Sequence, residues 1–172
     1  MTRFIDDIRS SIDNRNWYSA MFVSLCMPDV CGKLENPTLR SKQRYIEWFT
    51  KYMSTRYSGV RPFDFLIPEN CYALRCAVLH QGEGGLPQPI RQVLDEVCFI
   101  APGSSGIGGF FRPGHCSRLM NTEVDGREFS DALCLHVDVF CEDVCRAVEA
   151  WLADMAQRPD VQGRMGDLLC IY

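Results

Sequence analysis

The sequence predicts a mainly α-helical protein of the α+β class, a helical bundle with a small antiparallel β-sheet inserted before the last long helix. Apolar residues recur every three to four positions in the first half of the chain and again after residue 138, which is typical of helices that bury one face. Between these regions, short apolar runs separated by glycine and proline indicate strands and loops. We expect one domain over 1–172, with a helical part at 1–85, a β insertion at 90–137 and a C-terminal helix at 138–158 that packs back on the bundle.

Two helices are expected in the first part of the chain. The spacing that predicts the first helix is that of Phe4, Ile5, Ile8 and Ile12. A second helix should follow over 17–27 and end at Pro28 and Gly32, because proline removes a backbone hydrogen bond from a helix interior.

Two further helices should follow. The third begins near 36–38, and Pro68 and Glu69 suit the first turn of the fourth, which should continue to Gly82. The apolar face of the third helix is formed by Tyr45, Ile46, Phe49, Tyr52 and Met53.

The middle of the chain predicts three strands, at 93–100, 116–124 and 132–137, with a hairpin turn at Asp125-Gly126 between the last two. Asp138 is expected to cap the last long helix. The apolar stripe of that helix comprises Phe140, Val144, Ala147, Val148, Trp151 and Met155.

Composition excludes several classes of protein. The chain has 172 residues, 47% of them hydrophobic, and a net charge of −4, which is an ordinary globular composition and not that of a disordered chain. The longest apolar stretch, 18–27, is about half as long as a bilayer requires. Asp6 and Asp7 stand where a signal peptide has its apolar core. We therefore expect a cytoplasmic protein without a membrane partner.

Ten cysteines occur without a Cys-x-x-Cys pair. The nearest arrangement to a metal site is Cys141 with Cys145, one helical turn apart and following His136, but this spacing matches no known zinc motif. Cysteines within apolar runs of a reduced protein behave as small hydrophobic residues. We expect them to pack in the core, and we expect neither a metal nor another cofactor.

Charge is unevenly distributed along the chain. Residues 33–61 carry a local excess of +5 within a chain that is acidic overall. Such a segment could hold phosphates at one place, or it could be a solvated helix face. The residues that would guide RNA are Lys33, Arg40, Lys42 and Arg44.

The glycine-rich stretch 103–109 lacks the Gly-Lys-Ser/Thr ending of a P-loop. We expect a loop between strands there, with a mobile flap as the functional alternative. For His115 and His136 we expect structural roles.

Arg75 precedes His80 by five positions on the fourth predicted helix, an offset of about 140° around the helix axis, so the two side chains flank one face. Arg75-x4-His80 resembles the Arg-x4-6-His signature of the HEPN superfamily, helical domains found in ribonucleases of toxin–antitoxin, CRISPR and anti-phage systems. The wider Ala-Leu-Arg-x4-His-x-Gly segment is similar to that of uncharacterised bacterial proteins associated with this superfamily. The resemblance covers roughly 1–85. It departs at Cys76, where the family often has Asn, Asp or another polar residue.

The resemblance implies a metal-independent endoribonuclease that acts as a homodimer, with a site formed across the dimer. Arg75 would hold the scissile phosphate and His80 would act as general base or acid, leaving 2′,3′-cyclic phosphate ends. A histidine and an arginine suit this reaction because RNA supplies its own nucleophile, the 2′-hydroxyl. Histidine titrates near neutral pH, and arginine donates hydrogen bonds to phosphate oxygens.

Three alternatives stay open. The first is a non-catalytic module that binds a phosphate, a nucleotide or a protein through the same cleft. The second is an immunity or accessory protein whose sheet, residues 93–137, docks a protein partner. In the third, Arg75 pairs with an acid and His80 simply ends its helix, a position that suits a histidine electrostatically.

Overall fold

The helical part of the protein begins with helix α1 (Thr2–Asp13) and the long helix α2 (Trp17–Glu35). Helix α3 (Ser41–Tyr52), the short helix α4 (Ser54–Tyr57) and helix α5 (Pro68–His80) follow. These elements come from a computed structural model, which describes residues 1–57, 66–80, 97–102, 116–124 and 127–168.

Three strands and two helices complete the described chain. The strands are β1 (Val97–Ile100), β2 (Cys116–Val124) and β3 (Arg127–His136). The helices are α6 (Val137–Met155) and α7 (Pro159–Gly166). The fold is therefore mainly helical with a small sheet, as the sequence predicts. The glycine-rich stretch 103–109, His115 and the turn at 125–126 lie outside the described residues.

The predicted apolar stripes agree with the structure for α6 and in part for α1 and α3, since Phe4, Ile12 and Ile46 are only partly buried. Ile5 and Ile8 of α1 are buried, and so are the residues of α6 that were expected to face the core. Helix α3 starts at Ser41, a few residues later than expected. Its buried residues are Tyr45, Trp48, Phe49 and Tyr52.

The predicted end of α2 at Pro28 is wrong, because the helix continues through that residue to Glu35. A proline inside a helix costs about 3 kcal/mol. The turns beyond Pro28 bury Cys31 and Leu34, and burial of one leucine side chain contributes about 1.5–3 kcal/mol. The burial of these side chains thus offsets the cost of a proline inside the helix.

The end of α2 is fixed by polar contacts. Lys33 donates from Nζ to the carbonyl of Pro37 (2.8 Å), and Arg164 of α7 donates from Nε to the carbonyl of Leu34 (2.6 Å). Glu35 accepts a hydrogen bond from the indole nitrogen of Trp151 on α6 (2.9 Å). The bond from Arg164 satisfies a carbonyl of the last turn, where helix carbonyls have no partner within the helix.

The sheet is mixed, which corrects the expectation of an antiparallel one. Its strand order is β1-β3-β2, with β1 parallel to β3 and β2 antiparallel to β3. Parallel neighbours need a long connection, and the chain between Ile100 and Arg127, which includes β2, supplies it. The pattern of apolar residues within a strand does not predict which strand pairs with it.

Two further differences concern the last helices. His136 occupies the N-cap position of α6, so Asp138 lies in the first turn instead of at the cap. A carboxylate there still interacts favourably with the helix dipole. Helix α7 was not predicted, although Pro159 at its start and Asp160 in its first turn are typical start signals.

The core lies where α2 meets the other helices. Trp151 of α6, Tyr45 of α3 and Leu25 of α2 are among the largest buried side chains. No helix within the described ranges is both long enough and apolar enough to span a bilayer.

The close packing of α2 on α3 is testable at Gly32. A Cβ atom at this position would lie 3.0 Å from the carbonyl oxygen of Arg44, and overpacking of this kind costs about 1–3 kcal/mol. The higher helix propensity of alanine recovers at most about 1 kcal/mol. We therefore expect Gly32→Ala to lower the free energy of unfolding measured in urea.

Gly163 on α7 is the matched control, because a Cβ atom there meets nothing within 4 Å. Gly163→Ala should leave stability unchanged or raise it by about 0.5–1 kcal/mol. Equal effects of the two substitutions would contradict the close approach of α2 and α3.

Candidate functional site

Asp29 forms the centre of a group of charged side chains contributed by three helices. It follows Pro28 on α2, and only 14% of its side chain is exposed. Its Oδ1 accepts hydrogen bonds from Nε of Arg44 (2.9 Å) and Oγ of Ser41 (3.0 Å), and its Oδ2 accepts one from Nη2 of Arg75 (2.7 Å). We call Asp29, Ser41, Arg44 and Arg75 the Asp29 cluster.

Helix α3 brings Ser41 and Arg44 to the cluster. Both residues lie near the start of α3, where the helix passes close to Gly32 of α2. Arg44 also donates from Nη1 to the carbonyl of Leu39 (3.1 Å), and its side chain is 15% exposed. Two hydrogen bonds to different acceptors therefore fix the plane of its guanidinium group.

Helix α5 contributes Arg75, whose side chain is 19% exposed. Burial alone would lower the pKa of this guanidinium, but the Asp29 carboxylate and the Cys76 thiol outweigh burial and raise it. Its Nε atom is buried without a hydrogen-bond partner among the described residues. An unpaired buried donor costs about 1–3 kcal/mol, and because this atom is buried, a ligand could meet only the other donors of Arg75.

The cluster carries a positive balance, since two guanidinium groups share one carboxylate. Helix α3 reinforces it: Arg40 is the N-cap residue, Lys42 lies in the first turn, and the first turn contains no acidic residue. Cations at a helix N-terminus oppose the helix dipole, which favours anions there. This arrangement disfavours the isolated helix and attracts an anion.

The structure separates the residues predicted to guide RNA. Arg44 belongs to the Asp29 cluster, and Arg40 and Lys42 are exposed beside it. Lys33 instead donates to the backbone at the end of α2. Helix α5 ends at His80, whose side chain lies outside the part of the chain that the structure describes.

Asp29 and Ser41 were missed by sequence reasoning. The sequence predicts a helix break at 28–32, and therefore predicts no helix that would carry Asp29 to this position. A signal was present, because a carboxylate within an apolar run such as Val23 to Cys31 must find a cation or hydrogen-bond donors when it is buried.

Cys26 is a thiol close to Arg75 and Asp29. Burial raises the pKa of Cys26, against the opposing effect of Arg75, so the thiol stays protonated at neutral pH. Cys141 and Cys145 are buried on α6, as expected of packing residues. Within the described ranges no group of three histidine, cysteine or carboxylate side chains could hold a metal ion.

A groove between α1 and α6 has the wrong charge for a phosphate. Its volume is about 460 Å³. Arg9 within it is engaged by Glu142 and Glu149, at 3.0 and 2.7 Å. The charged residues that line it are Arg9, Arg146, Asp13, Asp138, Glu142 and Asp143.

An apolar groove of about 220 Å³ lies on the α2 and α5 side of the protein. Its described lining consists of apolar and thiol side chains, including Phe22, Cys26 and Leu79. Phe22 is 37% exposed and Leu79 is 41% exposed. Leu79 directly precedes His80, and Cys26 lies about one helical turn before Asp29, so the groove borders the Asp29 cluster.

Comparison of the chain with protein-family models, with curated proteins and with solved structures finds no match. The resemblance of residues 1–85 to the HEPN superfamily therefore stays a prediction that depends on Arg75, His80 and the helices around them.

Proposed function

We propose that the protein is a metal-independent endoribonuclease of HEPN type that acts as a homodimer. In this proposal Arg75 binds the scissile phosphate, and His80 removes the proton of the 2′-hydroxyl or protonates the leaving 5′-oxygen. Neither step needs a metal ion, because the nucleophile belongs to the RNA and the guanidinium group stabilises the charge on the phosphate.

The observation that carries this proposal is the position of Arg75 in the Asp29 cluster. A single 2.7 Å hydrogen bond to Asp29 orients its guanidinium group. Asp29 neutralises one of the two arginines it binds, so the other positive charge is available to an anion. Arginine has five N–H donors, and one bond to Asp29 leaves donors for a phosphate. His80 lies five positions further along the same helix.

The ion pair between Arg75 and Asp29 also favours a second candidate function. An arginine that is already paired suits a module that binds phosphate without cleaving it, and a purely structural pair would have the same geometry. Cleavage of RNA distinguishes the nuclease from the binding module and from a structural ion pair. The surplus of two arginines over one carboxylate favours a binding site over a structural ion pair.

The apolar groove supports the proposed dimer. Its exposed aromatic and aliphatic side chains lie beside the Asp29 cluster and directly before His80, so a second copy covering them would bring two sites together. Apolar surface at an oligomer interface is buried at a gain of about 25 cal/mol per Å². We propose a second copy of this chain, and not an unrelated protein, as the occupant of the apolar groove, because the groove is continuous with the Asp29 cluster.

The nuclease is tested by cleavage of RNA in EDTA by the purified wild-type protein and by His80→Ala. We expect wild-type cleavage that leaves 2′,3′-cyclic phosphate ends, and a loss of at least about 100-fold in the variant, because general acid–base catalysis contributes about 10²–10⁴-fold. His136→Ala is the histidine control and should retain activity. Cleavage that survives His80→Ala, or no cleavage by either protein, would exclude the proposed mechanism.

RNA guidance by α3 is tested by reversing its exposed charges. Arg40→Glu combined with Lys42→Glu should weaken binding of single-stranded RNA. The slope of log K against log salt should become shallower by about 0.7 for each phosphate that the variant no longer neutralises. Arg3→Glu, a reversal of an exposed cation on α1, is the control. An unchanged salt slope in the double variant would exclude this role.

The dimer is tested by light scattering of Leu79→Glu. A carboxylate in the apolar groove should shift the protein from dimer to monomer, because an unpaired charge is costly to bury at an interface. Ile67→Glu is the control, since Ile67 is similarly exposed (44%) but precedes the opposite end of α5. A wild-type protein that is monomeric at all concentrations would contradict the proposal.

A further inference from the structure

We propose that Asp29 holds Arg44 and Arg75 together as one unit that binds a single backbone phosphate of RNA. Arg44 is then a second phosphate ligand and Asp29 a positioning residue, and the unit recognises the phosphodiester without reading a base. This inference rests on the proposed function for its choice of RNA, but it concerns binding and is measured without cleavage.

The distances place the two arginines within reach of one anion. Nε of Arg44 and Nη2 of Arg75 bind the two oxygens of the same carboxylate, at 2.9 and 2.7 Å. These two nitrogens therefore lie within about 8 Å of each other, which is no more than the screening length at physiological ionic strength. A phosphate beside one guanidinium group is attracted by both.

The hydrogen bonds leave donors for that phosphate. Arg44 uses Nε for Asp29 and Nη1 for the Leu39 carbonyl, and Arg75 uses Nη2 for Asp29. Each guanidinium group has five N–H donors. Asp29 therefore orients both groups without occupying all their donors.

Burial holds the two guanidinium groups in this orientation before an anion binds. The three charged side chains are between 14% and 19% exposed, so they lose little further freedom when an anion binds. A flexible arginine loses that entropy at the moment of binding, whereas a group held in place beforehand binds more tightly. The Ser41 hydroxyl, 3.0 Å from Oδ1, fixes the carboxylate in turn.

Charge and positioning predict opposite effects when Asp29 is neutralised. If Asp29 only reduces the positive potential, Asp29→Asn should strengthen the binding of an anion, because one negative charge is removed. If Asp29 positions the arginines, the same change should weaken binding although the net charge becomes more favourable. The direction of the effect therefore decides between the two roles.

The experiment measures binding of a 2′-O-methyl oligoribonucleotide by fluorescence anisotropy, since this probe lacks the nucleophile and cannot be cleaved. We expect Asp29→Asn to weaken binding about tenfold, the effect of losing one charge-assisted hydrogen bond. The matched control is Asp160→Asn, which makes the same charge change at a carboxylate that also binds two arginines, Arg158 and Arg164. The control should bind as tightly as the wild type. Equal or tighter binding by Asp29→Asn would overturn the proposal.

A second variant keeps the proposal testable if Asp29→Asn does not fold. Asp29→Asn removes the charged partner of two partly buried arginines, so its helical circular dichroism and melting temperature are measured first. Ser41→Ala removes one bond to Asp29 without changing charge, and we expect it to weaken binding by about two- to fivefold, less than Asp29→Asn, because the bonds from both arginines to Asp29 remain. If Asp29→Asn does not fold, unchanged binding by Ser41→Ala overturns the proposal.

The outcomes also separate this inference from the proposed function. A wild-type protein that binds the probe, responds to both substitutions and leaves unmodified RNA intact would support the phosphate unit and exclude the nuclease. A wild-type protein that cleaves RNA but shows no effect of either substitution on binding would support the nuclease and overturn the role of Asp29. Absence of binding overturns the phosphate unit.

Discussion

Burial of helix α2 is the constraint on which the other elements depend. This helix packs against α1, α3, α5, α6 and α7, and buried residues occur along most of its length, from Ala20 to Leu34. Because it is apolar on most sides, it is stable only when its neighbours surround it. The close approach of α3 at Gly32 and the hydrogen bond from Trp151 to Glu35 both follow from this central position.

The same constraint places a charge inside the bundle. Continuation of α2 past Pro28 carries Asp29 to the point where α3 and α5 meet, and a carboxylate in that position needs donors. Ser41, Arg44 and Arg75 supply them. The positive balance that remains follows from two arginines meeting one acid, and it lies beside exposed basic residues of α3. Packing and electrostatics therefore favour the same location for binding an anion.

Periodicity was sufficient to predict the helices that bury one face, as α1, α3 and α6 do. It failed for α2, where proline is a strong local signal but the packing of Cys31 and Leu34 decides the outcome. The predicted strand at 116–124 is confirmed as β2, whereas β3 begins at Arg127 and not at residue 132. The parallel pairing of β1 with β3 depends on how the chain returns to the sheet. Arg75 could be found from a short motif. The apolar run around Asp29 indicates that this carboxylate needs a partner, but it does not identify Arg75, because an ion pair across 46 positions exists only in the folded chain.

Sequence separation within the Asp29 cluster bears on when the site forms. Ser41 and Arg44 lie 12 and 15 positions from Asp29, and Arg75 lies 46 positions away. Contacts between distant positions require closure of the intervening chain, so the bond to Arg75 completes the cluster only after α5 has docked. A chain that is still emerging during synthesis, up to α3, would have its basic helix start and Asp29 but not the second arginine. The assembled charge pattern is thus a property of the native bundle alone.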